Sequence, residues 1–535
     1  MTSKTFVDYT TPVVDAAWLN DVDRVVYDND GANHVNYNPP GTGSSVRSVQ
    51  SRLIETVSLK DFGATGDGTA DDTAELQAFF TYLADNGGVG FIPPGSYKIT
   101  ASIALTSPTN GFTVYGSGPE SLIVQRTTSS QSAFALIGLH DTTLADFKID
   151  CGHSVTGFAS HGISIRNADN VYIRNIHVYE HRNTAVLAFV DTALTYKNVN
   201  IIDCISESNG YGQNGFLLEG MLNSSIQNCV VYDLDLTGTP CNGLQLKNKC
   251  RGSSIIGGYA KGCLAGIALG SDTSALGEGP KDCIVEGVVV EDCLDGAIIG
   301  KTEDCTLRYH ADMSGSPAPS GINGFAFNVT GYCEHVYAEV TISGVQAGRT
   351  GIRVGSDDIS IVVPNAQDYG DYLVTLTAGV DRCFLLANKL YPDPANIYDI
   401  VSDSSGTSTN YVGYVKDLPT SGLQGNNAIF FRVPGKASNW ISYNGTTDTF
   451  AFRANGTDII GISGTTLFPS SDATLTLGTT ARRWTKMYGQ TLALQDGITA
   501  PATVSGHAQI YVDTADGDLK VKFGDGTVKT IATDT

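Results

Sequence analysis

Lysine and arginine are scarce in this chain. They total 33 against 55 aspartates and glutamates, a net charge of −22 over 535 residues. Such a balance is poorly suited to neutralising nucleic-acid phosphates or to docking on anionic lipid, so neither partner is expected. No run approaches ~18 apolar residues, so no membrane insertion is expected. No basic stretch followed by an apolar run opens the chain, so no secretory signal is expected. The 11 cysteines are too few for a disulfide scaffold, and no pair has C-x-x-C spacing. Buried, reduced thiols in a protein assembled in a cytoplasm are the reading, with no metal and no cofactor.

Glycine is abundant, at 60 residues, and 41% of the chain is hydrophobic. With plentiful Ser, Thr, Asn and Val, this composition favours strands and turns. An imperfect repeat organises the middle. Gly162-Ile-Ser-Ile, Gly215-Phe-Leu-Leu, Gly243-Leu-Gln-Leu, Gly266-Ile-Ala-Leu, Gly296-Ala-Ile-Ile, Gly324-Phe-Ala-Phe and Gly351-Ile-Arg-Val recur. From Gly215 onward the intervals are 28, 23, 30, 28 and 27. The first gap, 53, is two coils, with the missing strand at Ala185-Val-Leu-Ala-Phe. A second apolar column runs Ile173, Ile226, Ile255, Val285, Leu307, Tyr337, preceded by a turn column of Asn170, Asn223, Gly252, Asp282, Asp304 and Glu334. Short alternating strands on a 23–30-residue repeat predict a parallel β-helix, whose coils must stack because none buries its inner face alone.

The flanks differ. Residues 1–45 form a separate unit, with a short amphipathic helix over Asp15–Tyr27 that presents Trp18, Val22, Val25 and Val26. A glycine-rich loop then leads into a helix over Ala74–Leu83, capped by Thr69 or Asp71 and ended by Gly87-Gly88. After about residue 415 the repeat gives way to hairpin strands.

Three segments resemble parts of phage tailspikes with pectate-lyase-like domains. Asp61-Phe-Gly-Ala-x-Gly-Asp-Gly-x-x-Asp-Asp-Thr, within 46–100, resembles the leading segment of such domains. Thr5-Phe-Val-Asp-Tyr through Trp18-Leu-Asn resembles their virion-proximal start, and Leu477-Gly-Thr through Arg483-Trp to Tyr488 is similar to a tail-fibre C-terminal motif. The fold expected is mainly β: a right-handed single-stranded parallel β-helix, a short helical N-terminal unit and a β-rich C-terminal region. The division expected is 1–45 for virion attachment, 46–100 as neck and cap, 101–415 as β-helix with a glycan site, and 416–535 for trimerisation or glycan binding. The resemblance further implies a homotrimer on the virion. Its N-terminus would meet phage baseplate or tail proteins, and its β-helix would recognise and cleave a bacterial surface polysaccharide.

Hydrolysis of a glycan needs two carboxyl groups, ~5 Å apart for retention or ~6.5–9.5 Å for inversion. Neighbouring coils supply such spacings, since paired strands lie ~4.8 Å apart. Glu219 lies four residues past its landmark glycine, Lys247 takes the same place one coil on, and Asp272 follows on the next. Glu219 as base or nucleophile and Asp272 as acid or a second base are the leading catalytic candidates, with Glu207, Asp233 and Asp235 beside them. Tyr211, Asn214, Tyr232 and Lys247 are the expected glycan contacts, since tyrosines stack on sugar rings and amides bond hydroxyls. Two alternatives stand. One is β-elimination of a uronate-containing glycan served by Lys247, Arg251, Tyr259 and Lys261; the other is a non-catalytic receptor-binding fibre. Asp67, Asp71 and Asp72 read as loop-shaping residues, Asp513–Asp518 as a hairpin turn, and Glu286–Arg308 as an ion-pair ladder. His161, His181 and the Asp357–Asp358 pair are weaker catalytic candidates.

Overall fold

The computed structural model describes residues 35–127, 131–152, 161–191, 196–210, 212–232, 241–271, 278–315, 324–346 and 349–391, residues 33, 234 and 494, strands and adjoining residues between 401 and 469, and 498–534. The expected helix at Asp15–Tyr27 and the Leu477–Tyr488 motif lie outside them.

Stacked coils dominate. The landmark strands form one 12-stranded sheet, each hydrogen-bonded in parallel to its predecessor, from Ile103–Thr106 through Thr184–Phe189 and Asn214–Glu219 to Val401–Asp403. Second and third strands of each coil pair in parallel in the same way. Alternation explains this: along Ile163–Arg166 every second side chain is buried. Phe216 and Leu218, Leu244 and Leu246, and Ile267 and Leu269 thereby stack into one continuous core, fully or almost fully buried. Each such side chain contributes roughly 1.5–3 kcal/mol.

The landmark glycines have a steric cause. A Cβ on Gly162 would sit 2.4 Å from Val178 Cγ1, and one on Gly266 2.4 Å from Val290 Cγ1. Opposing strands close on each other there, so on those coils the position admits only very small residues, while Leu373 fills it on the coil after Gly351. Its alanines, Ala185 and Ala326, mark places with slightly more room. The turn column has a conformational cause. Asn170, Asn198, Asn223, Asp282 and Asp304 all hold φ between 46° and 61°, the left-handed region that Asn and Asp tolerate. Their side chains bond from coil to coil: Asn198 Nδ2 donates to Asn170 Oδ1 at 2.8 Å, and Asn170 Nδ2 to Asp141 Oδ1 at 3.0 Å.

Three expected positions shift near the last coils. Ala297 pairs with Phe327, so Ala326, not Gly324, holds the glycine position. Leu307 pairs with Ala338, so Ala338 fills the core column while Tyr337 turns outward beneath Arg308, 5.8 Å from its ring. His335, not Glu334, takes the left-handed turn at φ 52°. A one-residue slip in a period-two strand exchanges inside for outside, and Tyr337 is apolar enough to pass for either.

The helix Thr73–Asn86 closes the first coils with Leu76, Phe79, Phe80 and Leu83 buried. Thr69 does not cap it. Asp71 Oδ1 accepts from Thr73 N–H at 3.2 Å, while buried Asp72 accepts from Thr65 and Gly66 N–H at 2.6 and 3.0 Å. Asp67 accepts from Thr69 and Ala70 N–H, both at 2.8 Å. All three carboxylates shape the loop. Parallel pairing ends at Tyr411–Val415, where an antiparallel meander begins and runs to Thr466–Pro469.

The second unit, Ser471–Thr535, contains a three-stranded antiparallel sheet of Gln509–Val512, Leu519–Lys522 and Val528–Ala532. Asp513 and Asp516 there pair with Lys520, so this turn is a hairpin held by an ion-pair triad. All 11 cysteines of the chain are free and buried. Burial pushes the Cys250 thiol up to about 12.

Candidate functional site

A groove of about 740 Å³ crosses the outer face of the landmark sheet. Its centre is one register column: Leu217, Gln245, Ala268, Ile298, Asn328 and Arg353, each on the next coil. A second column passes from Lys247 to Gly270 and Gly300. The concavity comes from missing side chains. Ala268, Gly270 and Gly300 face outward between longer neighbours, and a Cβ on Gly300 would come within 2.6 Å of Thr330 Oγ1.

Asp295 is the one carboxyl among the described lining residues. It opens its strand just before the landmark glycine and is 9% exposed. Phe325 N–H donates to Oδ1 at 2.8 Å and Asn328 Nδ2 to Oδ2 at 2.9 Å. Burial nevertheless pushes the carboxyl up to about 6, against those two hydrogen bonds and the Arg353 charge. It therefore exchanges a proton close to neutral pH, the range where general acid–base groups work. Asn328 is also buried, and its Oδ1 accepts no hydrogen bond. An orphan buried acceptor costs about 1–3 kcal/mol.

Three cations line the same groove. Arg353 lies over the Phe325 ring at 5.9 Å, Lys301 Nζ donates to Ser271 O at 2.9 Å, and Lys247 follows Leu246 at the rim. Tyr332, 65% exposed, stands at the edge.

The sequence-predicted residues divide between surfaces. Asn214 and Lys247 line the groove. Glu219 faces Lys247 in register one coil away and accepts a hydrogen bond from Asn248 Nδ2. Glu207 and Tyr232 are register neighbours on the third-strand stack, a different sheet; Glu207 Oε2 meets His177 Nε2 at 3.2 Å. Tyr211, Asp233, Asp235 and Asp272 lie outside the described residues.

The elimination set divides as well. Arg251 donates to backbone carbonyls, Lys261 pairs with Glu291 and Asp292, and Tyr259 bonds Glu291; only Lys247 of the four lines the groove. Glu286–Arg308 is an ion-pair ladder extended by Glu339, at 3.9 and 3.6 Å. Asp357 and Asp358 both engage Arg382. His181 is buried against Ser206 Oγ at 2.8 Å, and burial pushes its imidazole down to about 3. Burial likewise pushes His161 down to about 4.

Sequence reasoning missed Asp295, Asn328 and Arg353. A signal existed for the first. The residue before the landmark glycine is His161, Asn214, Asn242 or Ala265 on other coils and an acid only at Asp295.

Residues 56–311 match the family model described as rhamnogalacturonase A/epimerase, pectate lyase-like. The pre-neck appendage protein of Bacillus phage phi29 is 26% identical over 244 residues, 40% of this chain and 27% of that protein. Mannuronan C5-epimerase AlgE3 of Azotobacter vinelandii is 26% identical over 213 residues, 36% of this chain and 11% of that protein. The chain thus spans about a quarter or less of these relatives' length. Among solved structures, a mutant tailspike protein of E. coli bacteriophage HK620 in complex with a pentasaccharide aligns with a TM-score of 0.54 at 14% identity. That alignment covers 82% of this chain and 94% of that one. The A-module of AlgE4 from Azotobacter vinelandii aligns with a TM-score of 0.52 at 18% identity, covering 66% and 99%. The parallel β-helix is the fold these share, and the pectate-lyase-like domain expected from the sequence is the one the comparisons return.

Proposed function

We propose that this chain is a phage tail protein that lays a bacterial surface polysaccharide across the groove and cleaves it with Asp295 as the proton-exchanging group. The single observation behind this is the Asp295–Asn328 pair. A carboxyl that titrates near neutral pH sits beside a buried, unsatisfied acceptor on an open outer face. The likeness to phage appendage and tailspike proteins supports the virion setting. In this reading residues 1–45 attach to the tail and the protein acts as a homotrimer.

Hydrolysis remains the first chemistry. Asp295 and Glu219 are not its pair: they are three coils apart, ~14 Å at the strand spacing, and five residues apart along the strand, beyond the ~9.5 Å limit for inversion. The described lining holds no second carboxyl, so the partner group would come from outside it. The three lining cations favour a second reading, β-elimination, in which they would hold a uronate while its proton is removed.

The test is reducing-end release from capsule and lipopolysaccharide extracts, with absorbance in the near ultraviolet read in parallel. We expect release, abolished by Asp295→Asn. Concurrent absorbance from an unsaturated product would establish elimination over hydrolysis. Loss with Glu219→Gln but not with Asp295→Asn would move the chemistry to the Glu219–Lys247 pair. Binding without release on any glycan would leave a receptor-binding fibre.

A further inference from the structure

The chain as a whole is strongly anionic, at −22. The groove is not. Its described lining carries Lys247, Lys301 and Arg353 against Asp295 alone. A polyanion approaching the molecule is repelled almost everywhere and attracted here, and a concave cationic surface focuses that attraction.

The placement of the three cations has a period. Lys247 ends the strand Asn242–Lys247, Lys301 follows the strand Asp295–Ile299, and Arg353 lies on Thr350–Val354. One landmark strand, Ala265–Gly270, separates the first two, and one, Phe327–Val329, separates the last two. The cations therefore recur on every second coil, but Arg353 is also set three residues back along its strand from Lys301, so the two steps are ~10 and ~14 Å at the strand spacing. On the coils between them the lining is neutral: Ala268 and Gly270 on one, Asn328 and Thr330 on the other. Arg353 is also presented in a defined pose. Its guanidinium lies over the Phe325 ring, which leaves edge N–H groups to fork onto a planar carboxylate.

We infer that the groove, acting on a polysaccharide as proposed above, selects an acidic one whose carboxylates recur every ~10–14 Å, an alternation of acidic and neutral sugars. Arg353 seats one carboxylate, Lys301 and Lys247 the next two, and the small residues between them accept uncharged rings. A polymer charged on every sugar would set carboxylates over Ala268 and Thr330 and lose their hydration without gaining a cation.

The experiment is binding of the purified full chain to an array of bacterial capsular and O-polysaccharides of known repeat. Each bound glycan is then retested after its uronates have been reduced to neutral sugars. We expect the bound glycans to be acidic with alternate charge, and reduction to weaken binding by at least about tenfold. Binding should also weaken as salt rises. Arg353→Ala and Lys301→Met should reproduce the loss, Arg353→Lys should restore part of it, and Arg308→Ala, on the ladder outside the groove lining, should leave binding unchanged. Arg353→Lys also serves where Arg353→Ala does not fold. Tight binding of a neutral glycan, or binding indifferent to uronate reduction, would overturn the acidic specificity and leave the polysaccharide function standing. Failure to bind any glycan would overturn the polysaccharide reading itself.

Discussion

Asp295 makes the sharpest prediction, because its carboxyl is held at about 6 from an ordinary 3.8 by burial that outweighs two hydrogen bonds and Arg353. The shift is about 2 units, and each unit is worth about 1.36 kcal/mol, so ionising Asp295 costs the fold about 3 kcal/mol. The sign follows from proton counting. Between pH 4 and 6 the folded state holds the proton that the unfolded chain has released. Stability linked to this group is therefore complete below pH ~4 and lost as pH rises through ~6. Asp295→Asn keeps the shape and removes the titration. The assay is the thermal midpoint of wild type and variant, measured side by side from pH 3.5 to 7.5. The two curves should run together at the acid end and separate as pH rises from ~4 to ~6, the variant becoming the more stable by up to about 3 kcal/mol at pH 7. The same substitution should abolish turnover, so stability gained and activity lost would fall on one residue. A wild-type-minus-variant difference that stays flat with pH would refute the assignment of a buried, proton-holding carboxyl.

Other consequences are as definite. Gly266→Ala places a methyl 2.4 Å from Val290 Cγ1, so it should cost about 1–3 kcal/mol in chemical denaturation. All 11 thiols should be inert to a thiol-specific reagent in the native protein and titrate fully in denaturant. His181 is buried with its imidazole pushed down to about 3, so the unfolded chain takes up the proton first as pH falls below ~6.5. His181→Gln should therefore flatten the loss of stability between pH 6.5 and 3, read from midpoints at those pH values.

Much of the fold was legible because it is dictated by repetition. The landmark glycine, the two-residue alternation and the Asn/Asp turn each recur, and each has one physical cause that acts on most coils. Register failed only around Gly324, Glu334 and Tyr337, where a lone tyrosine can lie on either side of a strand. The site was less legible for a related reason. Lys247 and Asn214 were found because a stacked column can be read from spacing. Asp295, Asn328 and Arg353 come from three successive coils, and their coincidence depends on which neighbours are small enough to leave a hollow. The rise in the Asp295 carboxyl is a property of burial, which no single coil's sequence encodes.

The path from third strand back to landmark strand varies while the strands themselves stay in register. It occupies residues 262–264 in one coil and 233–241 in another. Doubling the length of such a link costs only about 0.6 kcal/mol of closure entropy. Insertions there are thermodynamically cheap, and they fall beside the groove end marked by Asn214 and Asn242. The stack and the groove can thus stay fixed while these links are exchanged, so under the proposed function the glycan recognised changes by trading short segments at a single corner.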